Sequence, residues 1–196
     1  GVGMGGLTLG GGIGYHTRWA GLTSDHLVRA RMVTARGEVV EASAQENADL
    51  FWALRGGTGG TFGVCTELEF DLVEVPQGDV VFYRFDWTGA DAAQHMFAAV
   101  DALEQDSPPE FVASCMAQAT PLGADGDGRQ AMSVMLRGQY LGSRDDFMGL
   151  IDPVITGNAP AKQTIVEQPW WPTAKGFTSE EAELHSWGDI SRYTDR

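Results

Sequence analysis

Lysine is almost missing from this 196-residue chain, which has two lysines against eleven arginines. Cations of either kind are scarce: 13 basic residues face 27 acidic ones, and the formal net charge is −14. Such a surface repels phosphate backbones, and no basic stripe interrupts it, so nucleic acid is not an expected partner. Cysteine is equally scarce. Cys65 and Cys115 lie in separate apolar alternating runs, which predicts buried free thiols. The four histidines, His16, His26, His95 and His185, lack metal-ligand spacing, so no metal site is expected. No apolar run approaches the roughly 20 residues of a membrane helix, and no basic-then-apolar leader opens the chain. A soluble protein without a membrane partner is expected from the lack of an apolar span, and its compartment, cytoplasmic or secreted, is left open. The arginine-for-lysine balance, with abundant alanine and glycine, fits a bacterial source.

Glycine, by contrast, is plentiful, and eight of the first 14 residues, GVGMGGLTLGGGIG, are glycine. Gly1-x-Gly3-x-x-Gly6 matches a dinucleotide fingerprint in spacing alone. That fingerprint needs a strand before it and a long helix opening behind it. Leu7-Thr8-Leu9 reads as a short strand followed by three more glycines, so a Rossmann-type NAD site is rejected. A second glycine-rich segment covers 56–63, and neither segment contains GK[ST]. The spacing leaves two readings open: tight turns in a crowded domain, or backbone drawn close to a flat or anionic ligand.

The remaining pattern divides near Val75-Pro76-Gln77-Gly78. Before it, Ile13 to Ala20 reads as one or two helical turns closed by Gly21. Residues 27–35 and 38–42 flank Arg36-Gly37 as a hairpin. Ser43 with Glu46 forms a capping box opening a helix to about Leu54, in which Phe51 and Trp52 read as core. Residues 64–72 alternate, with Val64, Thr66, Leu68, Phe70 and Leu72 on one side. Beyond the divide, a strand over 79–87 precedes a helix over 91–106 with Met96, Phe97, Val100 and Leu103 on one face. Two strands follow, then a helix interrupted by Pro153 and a last strand at KQTIVEQ. That order, β-α-β-β-α-β, predicts an antiparallel sheet with helices on one face. Glu180, Glu181 and Glu183 read as a solvated helix face.

Three stretches carry a resemblance: VGMGGLTLGGGIGYHTRWAGLTSDHL, VTARGEVVEAS and ENADLFWALRGGTGGTFGVCTELEF. Their order and spacing over residues 2–76 resemble the berberine-bridge-enzyme-like branch of the FAD-linked oxidases, in the vanillyl-alcohol-oxidase and p-cresol-methylhydroxylase (PCMH) superfamily. The resemblance implies an α+β fold. Residues 1–76 would be the C-terminal half of a PCMH-type FAD-binding domain, and 77–196 the first half of an antiparallel-sheet substrate domain. It also implies FAD as cofactor. Val2, Gly3, Gly5, Gly6, Leu7, Gly10, Gly11 and Gly14 would run along the flavin and its pyrophosphate. Asp25 and His26 fall where the family has Asp-Asn near the cofactor, and Asp25 reads equally well as a turn-capping residue. Gly59, Gly60, Phe62, Gly63 and Val64 would close over the FAD, with Thr61 in place of the family's Asn. The family's covalent attachment residues, a His and a Cys, would precede Gly1, and its catalytic base would follow residue 196. The chain thus resembles an internal portion of a longer enzyme whose remaining polypeptide is a partner, and no catalytic residue is assigned.

The implied reaction is hydride removal from an alcohol, sugar or secondary metabolite, with electrons passing to O₂. Substrate candidates are Arg137 and Gln139 on one face of a strand, or Tyr140 on the other, since at most one set lines a pocket. Trp170, with Trp171, would wall a sugar or aromatic ring, and packing over the sheet is the competing reading. An alternative is a truncated or split piece acting as a binding or assembly module. Upstream attachment residues would tell the two apart. An incomplete sheet exposes edges, so the isolated piece is predicted to be poorly stable.

Overall fold

The computed structural model describes residues 3–57, 59–121 and 130–175. Val2, the 122–129 turn and the Glu180–Glu183 run lie outside the described residues. The chain divides into two compact units, one running up to Glu74 and one beginning at Val75.

The first unit contains α1 (Met4–Leu9), α2 (Thr17–Ala20), a 3₁₀ turn (Thr23–His26), β1 (Leu27–Val33), β2 (Val39–Ser43), α3 (Ala48–Leu54) and β3 (Val64–Phe70). Its sheet is antiparallel in the order β2-β1-β3. The hairpin closes where Thr34 N–H donates to the Glu38 carbonyl at 2.9 Å, with Gly37 at φ 77°. Ala30, Met32, Ala42, Phe51 and Leu54 form its core with Leu9 and Leu27. On the opposite face Arg29 binds Glu41, Glu67 and Glu69, while Arg31 binds Glu41 and Glu67.

Several expectations are corrected here. Leu7-Thr8-Leu9 is helical: no strand among the described residues offers it a ladder, whereas the helical phase turns Thr8 and Leu9 inward together. Ser43 does not cap a helix. Its hydroxyl accepts from Gln45 and Glu46 N–H in a local turn, and Asn47, left-handed at φ 48°, forces α3 to begin only at Ala48. Trp52 is not core but 79% exposed, while Phe51 is buried. A register shift between Arg31 and Met32 breaks the alternation of β3. Cys65 therefore joins Leu68 and Phe70 against the core, and Val64 is 69% exposed. Cys65 is only half-buried, enough to push its thiol up, and Cys115 is exposed.

The second unit contains β4 (Asp79–Thr88), α4 (Ala92–Asp106), β5 (Phe111–Pro121), β6 (Gln130–Tyr140), α5 (Arg144–Gly157), β7 (Lys162–Pro169) and α6 (Trp170–Lys175). The sheet is antiparallel throughout, ordered β5-β6-β4-β7, the arrangement of a split βαβ fold. Helices α4 and α5 pack on one face, as the pattern predicted, around the fully buried Tyr83, Phe85, Phe111 and Phe147. Tyr83 stacks on Phe111 at 5.2 Å and meets Phe147 at 5.0 Å, and its hydroxyl donates to the Val112 carbonyl at 2.8 Å. Gly138 makes that reach possible: a Cβ there would stand 1.8 Å from the Val112 carbonyl and 2.5 Å from the Tyr83 hydroxyl.

Two helix expectations differ from the outcome. The buried stripe of α4 is Ala92, Met96, Ala99 and Leu103, whereas Phe97 is exposed. Pro153 does not interrupt α5, which runs from an N-cap at Ser143, whose Oγ accepts from Asp146 N–H at 3.2 Å. The carbonyl that loses its donor belongs to Gly149, an exposed residue that water can serve.

Candidate functional site

The two glycine-rich segments, more than 40 residues apart in sequence, meet in the first unit. A Cβ on Gly56 would lie 3.6 Å from the Gly11 Cα, and one on Gly59 would lie 3.9 Å from the Leu9 Cβ. Around them the fold separates glycines it needs from glycines it does not. Gly12 needs its bare Cα, because a Cβ would stand 2.4 Å from the Thr23 Cβ. Gly63 is similar: at φ 144° its Cβ would meet the Val33 carbonyl. Gly10 caps α1 by donating to the Gly6 carbonyl at 3.2 Å. Gly11 and Gly60 have positive φ. Gly3, Gly5, Gly6 and Gly14 have neither a positive φ nor any atom within 4 Å of an added Cβ.

That last group is the informative one. Gly5 and Gly6 lie inside α1, where each costs about 0.5–1 kcal/mol relative to alanine. Nothing among the described residues repays that cost. The apolar side chains flanking the glycines, Met4, Ile13, Phe62 and Val64, are exposed. Thr8 is fully buried, and its hydroxyl has no hydrogen-bond partner among the described residues. A backbone surface without side chains, bordered by exposed apolar groups, suits a flat ligand that approaches the main chain closely.

Asp25 and His26 have internal duties. Asp25 Oδ2 accepts from Leu22 N–H at 3.0 Å, the turn-capping role, and Oδ1 pairs with Arg55 at 3.3 Å. His26 Nε2–H donates to the Ala20 carbonyl at 2.6 Å, which fixes its tautomer and ties α2 to the 3₁₀ turn. Arg55 also donates to the Ser24 carbonyl at 2.8 Å and lies over the Phe51 ring. A hollow of ≈ 330 Å³ is lined by Met4, Gly14, Tyr15, His16, His26 and Leu72, among others. Tyr15 and His16 escaped the sequence reading, because only the fold turns the segment after Gly14 back toward Leu72.

Residues 1–43 match the profile of the family described as FAD binding domain. A glucooligosaccharide oxidase from Sarocladium strictum is 34% identical over 175 residues, 87% of this chain and 32% of that protein. Berberine bridge enzyme-like 12 from Arabidopsis thaliana is 34% identical over 147 residues, 75% of this chain and 26% of that protein. The solved structure of Physcomitrella patens BBE-like 1 superposes with a TM-score of 0.72 at 28% identity, covering 86% of this chain and 34% of that one. Over most of its length the chain is similar to the berberine-bridge-enzyme-like branch of the FAD-linked oxidases. It spans roughly a quarter to a third of the length of these relatives.

FAD is thus the cofactor, and the residues present fit it: a Cβ on Gly3, Gly5, Gly6 or Gly14 would occupy space that the described residues leave empty. In this berberine-bridge-like chain, Gly12 and Gly63 serve packing, and Asp25 and His26 serve the turn.

In the second unit, Tyr140 is on the helix-covered face, 6.0 Å from the Phe147 ring, and is a core residue. Arg137 and Gln139 share the face opposite α4 and α5, where Gln139 is fully buried. Trp170 opens α6 with its ring 5.9 Å from that of Trp171, and α6 touches β4 and β7. Among the described residues no group of three or more His, Cys, Asp or Glu could hold a metal ion. No helix among them is long and apolar enough to cross a membrane.

Proposed function

We propose that this chain is part of an FAD-dependent oxidoreductase that removes a hydride from a carbon bearing a hydroxyl, on a sugar, alcohol or secondary metabolite, with O₂ as electron acceptor. Residues 1–76 would contribute half of the FAD-binding domain, and residues 77–196 the first half of the substrate domain. The observation that carries the reading is the set of glycines at 3, 5, 6 and 14, which packing among the described residues does not require. Bound FAD supplies the hydride acceptor. Backbone at Gly3, Gly5, Gly6, Gly11 and Gly14 would lie against it, with Val2 and Leu7 beside them, and Gly59 and Gly60 would approach from the second loop. The internal ties of Asp25 and His26 make them positioning residues for that surface. On the substrate side, Arg137 and Gln139 are the candidates, with Trp170 at the end of β7.

A carbohydrate is the favoured substrate among the three, since the relative at 34% identity over 175 residues is a glucooligosaccharide oxidase. The arginine-over-lysine balance supports a bacterial source.

The test is the visible absorption spectrum of the purified full-length protein, repeated after acid precipitation. Flavin bands are expected, together with H₂O₂ release on adding an oligosaccharide. Bands that stay with the pellet would mean covalent FAD, and bands in the supernatant noncovalent FAD. A colourless protein that fails to take up added FAD would overturn the reading.

A further inference from the structure

The four-stranded sheet treats its two edges differently. At one edge, β7 carries Lys162 and Glu167, ends on Pro169, and has its Ile165 carbonyl approached by the Arg144 guanidinium at 3.5 Å. Charge, proline and side-chain cover are the means by which sheet edges avoid pairing with stray strands. At the other edge β5 has almost none of them. It runs for 11 residues, FVASCMAQATP, without one charged side chain, and its single proline is the last residue. Its register against β6 is continuous from Phe111 opposite Tyr140 to Pro121 opposite Gln130, so no bulge turns the edge aside. Ala113, Cys115, Ala117 and Ala119 are exposed.

The phase of the ladder fixes which backbone groups face outward. Leu141 N–H donates to the Glu110 carbonyl at 3.1 Å, in step with the β5–β6 register. In an antiparallel ladder such hydrogen-bonded pairs alternate with non-bonded ones. Val112, Ser114, Met116 and Gln118 therefore direct their N–H and C=O groups to β6, whereas those of Ala113, Cys115, Ala117 and Ala119 point away from the sheet. Among the described residues these outward groups meet no partner.

We infer that this edge is a pairing site, and that its occupant is a strand from the rest of the chain's own polypeptide, which extends the sheet beyond β5. The inference rests on the reading of the chain as part of a longer enzyme. The chain spans roughly a quarter to a third of the length of its relatives, so most of each lies outside the matched portion. A second copy is the disfavoured occupant: it brings a formal charge of −14 against the same charge, and β5 has no cation to offset it. An added strand of about seven residues, at roughly 3.3 Å per residue, would match the outward groups of 113–119.

The test is hydrogen–deuterium exchange of the full-length protein, read at single amides by fragmentation mass spectrometry. A free edge gives an alternating pattern, slow at Ser114, Met116 and Gln118 and fast at Ala113, Cys115, Ala117 and Ala119. An occupied edge makes them all slow, with the outward amides expected to exchange about a hundredfold or more slower than in free peptide. Ala117→Pro removes an outward N–H and no bond to β6. It should speed exchange at Cys115 and Ala119 about tenfold or more if the edge is occupied, and change neither if it is free. The wild-type pattern decides by itself should that variant fail to fold. Slow outward amides in a protein that sedimentation shows to be monomeric support the own-chain strand. The alternating pattern, or protection that appears only in a dimer, would overturn it. Flavin absorbance is recorded on the same sample. A colourless protein with slow outward amides loses the oxidase reading and keeps the sheet extension.

Discussion

Replacing Gly6 with alanine separates what the chain needs from what its cofactor needs. Gly6 is the third residue of α1, and a Cβ there meets nothing within 4 Å among the described residues. Without flavin the substitution is expected to stabilise, because alanine is the better helix former by about 0.5–1 kcal/mol. In a domain of this size that gain raises Tm by about 1–4 °C. With flavin the sign should reverse. A methyl group pressed into a close backbone contact costs about 1–3 kcal/mol by overpacking, equivalent to roughly 5- to 150-fold weaker FAD binding. The assay is urea unfolding of the flavin-free and flavin-loaded full-length protein, with flavin absorbance giving stoichiometry and affinity. Gly63→Ala is the contrasting control. Its Cβ would meet the Val33 carbonyl at φ 144°, so both forms should lose stability by about 2–4 kcal/mol. If Gly6→Ala binds FAD within twofold of the wild type, the glycines of α1 do not serve the flavin and the reasoning fails.

Phe147→Ala removes a fully buried ring that meets Tyr83, Phe111 and Tyr140, and should cost about 3–5 kcal/mol in chemical denaturation. A loss below about 1 kcal/mol would show that these rings are not the core of the second unit. Acid should weaken the first unit through Glu41, whose carboxyl the Arg31 and Arg29 guanidinium groups hold below its ordinary value of 4.5. A depressed carboxylate adds stability above its unfolded pKa and loses it as pH falls through the folded one. Glu41→Gln should therefore flatten the loss of stability on acidification below about pH 4.5; an unchanged acid-unfolding curve counts against the network. His26→Ala removes the donor to the Ala20 carbonyl and should cost about 1 kcal/mol, with increased hydrogen exchange confined to the segment from α2 to the 3₁₀ turn.

Much of the second unit was legible in advance because local signals agreed with the tertiary outcome. Strands and helices alternate there, and the observed sheet order buries the face carrying Tyr83, Phe85 and Leu136 beneath two helices. The failures fall where the surroundings of a segment outweigh its own local signal. Leu7-Thr8-Leu9 has strand-forming residues but no strand beside it, so it coils. Ser43 and Glu46 have the spacing of a capping box, but Asn47 hydrogen-bonds the Glu41 carbonyl and turns the chain before the helix can start. Val64 alternates correctly in sequence, and one bulge sends it outward.

By itself, then, the sequence determined the order of elements in the second unit, and its resemblance to a known family pointed to the cofactor. Hydrophobic period is a local property, and chain order preserves it. The tertiary structure alone decided which glycines are there for packing and which leave space for something else, since that depends on atoms such as Thr23 and Val33 brought in from elsewhere. It also decided that Tyr140 faces the core while Arg137 faces Arg84 across two strands. A one-residue change of register would have exchanged those faces, and only the pairing of whole strands sets the register.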